Sequence, residues 1–94
     1  MEVIRKIRHK GLKRFFEEGD VRGLPAQHIG KIRAVLAVLD TVSDVDFINI
    51  PGGRLHRLRG DRKGYWSLTI TRNWRMTFQF DGEDVTDVDY EDYH

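Results

Sequence analysis

Apolar positions follow a helical period through the first half of the chain and a period of two through the second. Leu12, Phe15 and Phe16 share one helical face, and Gly19 stands where a left-handed residue would end that helix. Pro25 suits the first turn of a second helix, along which Ile29, Ile32, Leu36 and Leu39 repeat, reinforced by Val35, Val38 and Val42. His28, Lys31 and Arg33 fall on the outer side of that helix, the ordinary place for solvated polar residues. Residues 3 to 8 show no period clear enough to assign.

Tyr65 to Ile70 and Trp74 to Phe80 alternate and are rich in aromatic and branched residues, so both read as strands. With Thr71-Arg72-Asn73 as the loop, Ile70 faces Trp74, Leu68 faces Met76 and Trp66 faces Phe78, and every inward pair is apolar. A slip of one residue destroys that match. Asn73 is suited to the left-handed position such loops often need. A second loop around Asp81-Gly82-Glu83 sets Met76 opposite Val88 and Trp74 opposite Tyr90. The expectation is an α+β domain over residues 1–94, two N-terminal helices packed on a twisted antiparallel sheet, with Ile50-Pro51-Gly52-Gly53 as a hinge between the halves. The other face of the sheet then carries Tyr65, Ser67, Thr69, Arg75, Thr77, Gln79, Asp87 and Asp89. It reads as polar and open, with Arg75 beside Thr69 and Asp89.

Charge changes this picture more than size does. The net charge is only +1, yet residues 1 to 75 hold all 16 Lys and Arg against 8 acids, while residues 76 to 94 hold 7 acids and no base. Such a chain can offer one face to a polyanion, or its two parts can neutralise one another. Residues 54 to 64 contain Arg54, His56, Arg57, Arg59, Arg62 and Lys63 among glycines, a basic loop fit to follow a phosphodiester backbone, with Tyr65 and Trp66 as stacking surfaces. An edge strand kept soluble by charge is the competing reading. Cysteine is absent, which excludes disulfides, thiolate metal sites and thiol nucleophiles. The four histidines have no metal-ligand spacing, and no glycine loop precedes a helix to cradle phosphate. No apolar run reaches membrane-spanning length and no signal peptide is visible, so a cytoplasmic protein is expected.

Several separated motifs in order resemble the HigB toxins of the RelE/ParE superfamily. They are His9-Lys10-Gly11-Leu12, Phe15-Phe16, Gly23-Leu24, Leu55-His56-Arg57-Leu58-Arg59-Gly60, Gly64-Tyr65-Trp66-Ser67, Asn73-Trp74-Arg75-Met76-Thr77-Phe78 and Val88-Asp89-Tyr90-Glu91-Asp92-Tyr93-His94. The resemblance spans nearly the whole chain and implies a ribosome-dependent messenger RNA endonuclease without metal or cofactor. It also implies inhibition by a HigA-like antitoxin with a helix-turn-helix fold, promoter DNA being met only through that antitoxin, and an N-terminal strand at residues 3 to 8. Its catalytic set falls on His56, Arg75, Asp92, Tyr93 and His94, and its RNA contacts on Arg54, Arg57, Arg59, Arg62 and Lys63. Arg59 stands where many relatives have Lys, and Gln79 where many have Arg.

The implied chemistry suits these groups. The ribose 2′-hydroxyl attacks the adjacent phosphate, a base removes its proton, an acid protonates the leaving 5′-oxygen, and a fixed guanidinium at Arg75 stabilises the phosphorane. Histidine titrates near pH 6.5, so His56 or His94 serves either role. Tyr93 shares the strand parity of Arg75 while Asp92 and His94 have the other, so the tail must bend or the groups do not all act together. The competing function is a non-catalytic binding module working with the antitoxin, or a ParE-like gyrase inhibitor.

Overall fold

The computed structural model describes residues 4–41, 48, 50 and 52–92. Helix α1 (Lys10–Glu18) starts at His9, whose Nδ1 accepts the Leu12 N–H at 3.1 Å, and stops at Gly19, which takes a φ of 73°. The cap N–H of Gly19 reaches the Arg14 and Phe15 carbonyls, satisfying the last turn as expected from a C-terminal glycine. Pro25 precedes a single 3-10 turn, Ala26–His28, which runs into α2 (Ile29–Leu39). On α2 the residues Ile32, Val35, Leu36 and Leu39 are buried. Val42, expected to extend this stripe, and Pro51 of the hinge lie outside the described residues.

Among the described residues four antiparallel strands follow in sheet order β1 (His56–Arg57), β2 (Trp66–Thr69), β3 (Trp74–Asp81) and β4 (Asp84–Asp92). The β2–β3 hairpin has the expected register, Trp66 opposite Phe78 and Leu68 opposite Met76, with the Ile70 N–H on the Trp74 carbonyl at 2.9 Å. Asn73 does not take the left-handed conformation. Among the described non-glycine residues only Arg54 and Asp87 do, at φ 48° and 53°.

The β3–β4 register departs from expectation by two residues. The turn is a tight one, Gly82-Glu83, with Asp81 opposite Asp84. Phe80 then faces Val85, but an irregularity between Thr77 and Gln79 inserts an extra residue in β4, so Met76 faces Tyr90 and Trp74 faces Asp92. The left-handed Asp87 sits at this bulge, where one strand gains a residue over its partner. The bulge lets Val85 and Val88, three residues apart, both point inward and become fully buried.

That spacing also explains the N-terminal segment. Ile4 bridges Val85 and Ile7 bridges Val88, both in parallel, and the Arg5 and Arg8 N–H groups bond the Val85 and Val88 carbonyls at 2.8 and 2.7 Å. Ile4 and Ile7 are three apart because they match a bulged strand, which is why no period of two was visible. Where the resemblance implies a strand at residues 3 to 8, residues 4 to 8 thus lie along the sheet edge through isolated parallel bridges, and Val3 lies outside the described residues.

Leu12 and Phe15 of α1, the stripe of α2, and Leu68, Met76, Phe78, Val85, Val88 and Tyr90 of the sheet make one core with Ile4 and Leu24. Gly11 and Gly23 allow α1 to touch the following loop, since a Cβ on Gly11 would stand 2.6 Å from the Gly23 carbonyl oxygen. Among the described residues no helix is long and apolar enough to cross a membrane.

Candidate active site

The polar face of the sheet is closed where the sequence suggests an open surface. Its rows follow from the register: His56 beside Ser67, Ser67 beside Thr77, Thr77 beside Asp89, and in the next row Thr69, Arg75 and Glu91. The β1–β2 connection folds a 3-10 turn, Gly60–Arg62, back towards this face and carries the Arg62 guanidinium onto it. Arg62 binds Glu91 through both arms, Nη1 to Oε1 at 3.0 Å and Nη2 to Oε2 at 2.6 Å, while lying 4.9 Å above the Tyr65 ring. Thr77 Oγ1 donates to Glu91 Oε2 at 2.6 Å, and Arg75 Nη2 approaches Oε1 at 3.5 Å. Beneath this cover Ser67 and Thr77 are fully buried, and Ser67 Oγ has no hydrogen-bond partner among the described residues.

Glu91 is the residue that sequence reasoning missed. The tight turn and the bulge together bring it, not Asp89, opposite Arg75. Hydrogen bonds from Arg62, then from Thr77, hold its carboxyl at about 2 against the ordinary 4.5, outweighing the opposing effect of burial. The same pairing raises Arg62. The signal in the sequence was the three-residue interval between Val85 and Val88, which cannot fit an unbroken period of two.

His56 lies exposed on the edge strand, on the polar face with Ser67. Its Nδ1 is 2.9 Å from the Arg54 carbonyl oxygen. A carbonyl only accepts, so Nδ1 holds the proton and Nε2 is left as the basic nitrogen of the neutral ring. Arg75 is on the same face with its side chain 19% exposed. It stands two strands from His56, roughly 10 Å across the sheet. Asp92 pairs with Trp74 and so has the parity of the buried Tyr90, away from the Arg75 face. Tyr93 and His94 lie outside the described residues. The structure therefore puts His56 and Arg75 on one face of the sheet, on strands two apart, and Asp92 at a position of the opposite parity.

Of the basic residues expected to meet RNA, Arg54, Arg57, Arg59 and Lys63 are exposed, and none of them forms an ion pair with another described residue. Arg62 is the exception, because it is committed to Glu91. Two hollows flank β1 and share His56. One, of about 830 Å³, has Arg57, Arg59 and Lys63 around Trp66 and Phe80, and the other, of about 760 Å³, is lined by Arg54, Arg72, Thr69 and Thr71. Elsewhere the acidic end is partly neutralised, with Arg5 on Asp81 at 2.7 Å and on Asp84 at 3.7 Å, and Lys6 on Asp87 at 3.9 Å. Three acids of β4, Asp84, Asp87 and Glu91, are thus in ion pairs, while the β1 edge stays basic.

His28 corrects a further expectation, since it is buried and not on the outer face of α2. Its Nδ1 shares a hydrogen bond with the Tyr90 hydroxyl, and Trp74 stacks on Tyr90 with ring centres 4.7 Å apart. Burial pushes the Tyr90 phenol up to about 12, so it keeps its proton. Among the described residues there is no cluster of three or more His, Cys, Asp or Glu that could hold a metal ion.

Residues 5–94 match the family model of HigB-like toxins, described as the RelE-like toxin of the type II toxin-antitoxin system HigB. Over 92 residues the chain is 46% identical to Endoribonuclease HigB of Proteus vulgaris, covering 98% of this chain and all of that protein. Two solved structures share the fold. A conserved hypothetical protein of Helicobacter pylori superposes with a TM-score of 0.55 at 12% identity, covering 99% of this chain and 96% of that one. A YoeB/ParE toxin of Agrobacterium tumefaciens gives a TM-score of 0.55 at 18% identity over 94% of each chain.

Proposed function

Because the chain belongs to the HigB-like toxin family, we propose that it is the toxin of a type II toxin-antitoxin pair and an endoribonuclease that cuts messenger RNA on the ribosome. The observation that carries the reading is His56, an exposed imidazole with its basic nitrogen set by the Arg54 carbonyl, between two cation-lined hollows. In the proposed reaction the 2′-hydroxyl loses its proton to one histidine as its oxygen bonds the phosphorus. The 5′-oxygen leaves with a proton from an acid, and a 2′,3′-cyclic phosphate remains. His56 and His94 supply the proton transfers, Arg75 stabilises the charge gathering on the phosphorane, Asp92 orients an imidazole or takes a proton, and Tyr93 positions a base. No metal or cofactor has a part in this scheme.

That His56 and Arg75 come from strands two apart supports dependence on the ribosome. Catalytic groups drawn from separate strands gain from a partner that imposes the reactive geometry on the substrate. The proposal places the protein in the cytoplasm, silenced by a HigA-like helix-turn-helix antitoxin through which alone it reaches promoter DNA.

Primer extension on messages bound to ribosomes, with and without the protein, tests this. Cuts confined to ribosome-bound messages support it, and equal cutting of naked RNA removes the ribosome dependence. Intact messages with undiminished translation would return the chain to the binding-module class.

A further inference from the structure

Trp66 and Phe80 belong to the same apolar side of the sheet as Leu68, Met76 and Phe78, yet they stay half-exposed while those three are buried. They open into the larger hollow beside β1. The Arg57 guanidinium carbon lies over the Trp66 ring, 5.0 Å from its centre, so one wall is a cation set over an aromatic face. Around it stand Arg59 and Lys63, and the connecting loop turns at Gly60 and Gly64, whose φ values are 66° and 96°. None of the described residues lining the hollow is acidic, and Asp61 of the same loop is not among them. Its volume is within the range of about 300–1,000 Å³ usual for ligand-binding clefts.

We propose that this hollow is a nucleobase site, in which one unpaired base of the RNA stacks among Trp66, Phe80 and Arg57 while its flanking phosphates lie on Arg59 and Lys63. The strand then crosses β1 beside His56 and continues into the hollow lined by Arg54 and Arg72. Aromatic and guanidinium planes take any base by its π-face, and loop cations take the backbone, which together favour single-stranded RNA over a peptide. Stacking of this kind tolerates all four bases, so the site adds grip without dictating sequence. The inference rests on the nuclease reading for the identity of the polyanion, but its test does not require cleavage.

Trp66 and Trp74 are the two tryptophans of the chain, so Trp74→Phe leaves Trp66 as the sole tryptophan, excited selectively at the red edge where tyrosine does not absorb. This protein is titrated with a short 2′-O-methyl RNA, whose capped hydroxyl prevents cleavage, and with an abasic oligonucleotide of equal length and charge. The expected result is quenching of Trp66 by the base-bearing strand and binding about tenfold tighter than the abasic one. Trp66→Leu should erase that difference and Trp66→Phe keep most of it, with thermal melts showing both variants folded. Equal affinity for the two oligonucleotides, or a base preference that survives Trp66→Leu, overturns the proposal. Cleavage of ribosome-bound message by the wild type is scored separately. Cleavage with no base preference discards the hollow and keeps the nuclease, whereas base-dependent binding without cleavage keeps the hollow and discards the nuclease.

Discussion

Arg62 and Glu91, 29 residues apart, form a two-armed ion pair of 3.0 and 2.6 Å that fastens the β1–β2 loop across the sheet. Thr77 completes the carboxylate's bonding from below. The pair costs the polar face one free cation and gives the basic loop a defined position, from which Arg59 and Lys63 project.

This pairing makes stability depend on acid. Glu91 titrates at about 2 when folded against an ordinary 4.5, so its contribution is complete above about pH 4.5 and disappears as pH falls through 2. The pair is partly open to water, which reduces the effect to roughly 1–2 kcal/mol. Denaturant unfolding of the wild type and Glu91→Gln should differ by that amount at neutral pH and converge towards pH 2. Parallel curves across the whole range would remove Glu91 from the stability of the fold.

Arg75→Ala should lower cleavage by about a hundredfold or more, the usual cost of removing a donor from a developing oxyanion. The melting temperature should change little, because Glu91 keeps Arg62 and Thr77 as partners. Single-turnover cleavage on programmed ribosomes beside thermal melts separates these effects. A collapsed melt would make Arg75 a structural residue.

Replacing Arg57, Arg59 and Lys63 together by Ala should weaken RNA binding and flatten its salt dependence. Each lost phosphate contact reduces the log–log slope by about 0.7 for a single strand. Arg62 is left intact in this variant, since its loss would disturb the loop as well as the charge. Affinities measured across a salt series give the answer directly, and an unchanged slope would reduce the cluster to a solubilising edge.

The bulge in β4 needs a left-handed residue at Asp87. Asp87→Val should destabilise the protein by about 1–2 kcal/mol, the cost of a bulky side chain in that conformation, whereas Asp87→Gly should be tolerated. The exposed Lys6 contact at 3.9 Å contributes little to the comparison. Chemical denaturation of the two variants checks the order.

Gly11→Ala forces a methyl to within 2.6 Å of the Gly23 carbonyl oxygen, and no flexible side chain is there to yield. A loss of about 1–3 kcal/mol is expected from overpacking. Gly30 in α2 is the control, because a Cβ there meets nothing within 4 Å. Gly30→Ala should stabilise by about 0.5–1 kcal/mol through helix propensity alone. Melts that move the same way for both would contradict the close approach of α1 to its loop.

Local pattern by itself determined the α1 cap at Gly19, the buried stripe of α2 and the β2–β3 register, because each depends on residues within one element or one hairpin. A glycine can end a helix from its own φ, and three apolar cross-strand pairs leave a hairpin one register. It likewise marked the basic β1 edge, where Arg54, Arg57, Arg59 and Lys63 are exposed and form no ion pair with a described residue. The β4 register was decided by tertiary structure. Its extra residue is held by Ile4 and Ile7 from the other end of the chain, and period two carries no information about a strand that must match a partner spaced by three. From the tight turn and that extra residue together follows the replacement of Asp89 by Glu91 beside Arg75, and with it the pairing of Arg62 with Glu91 over the buried Ser67 and Thr77. The burial of His28 was equally invisible, because a helix face counts as outer only until a polar partner, here the Tyr90 hydroxyl, is brought against it by the sheet.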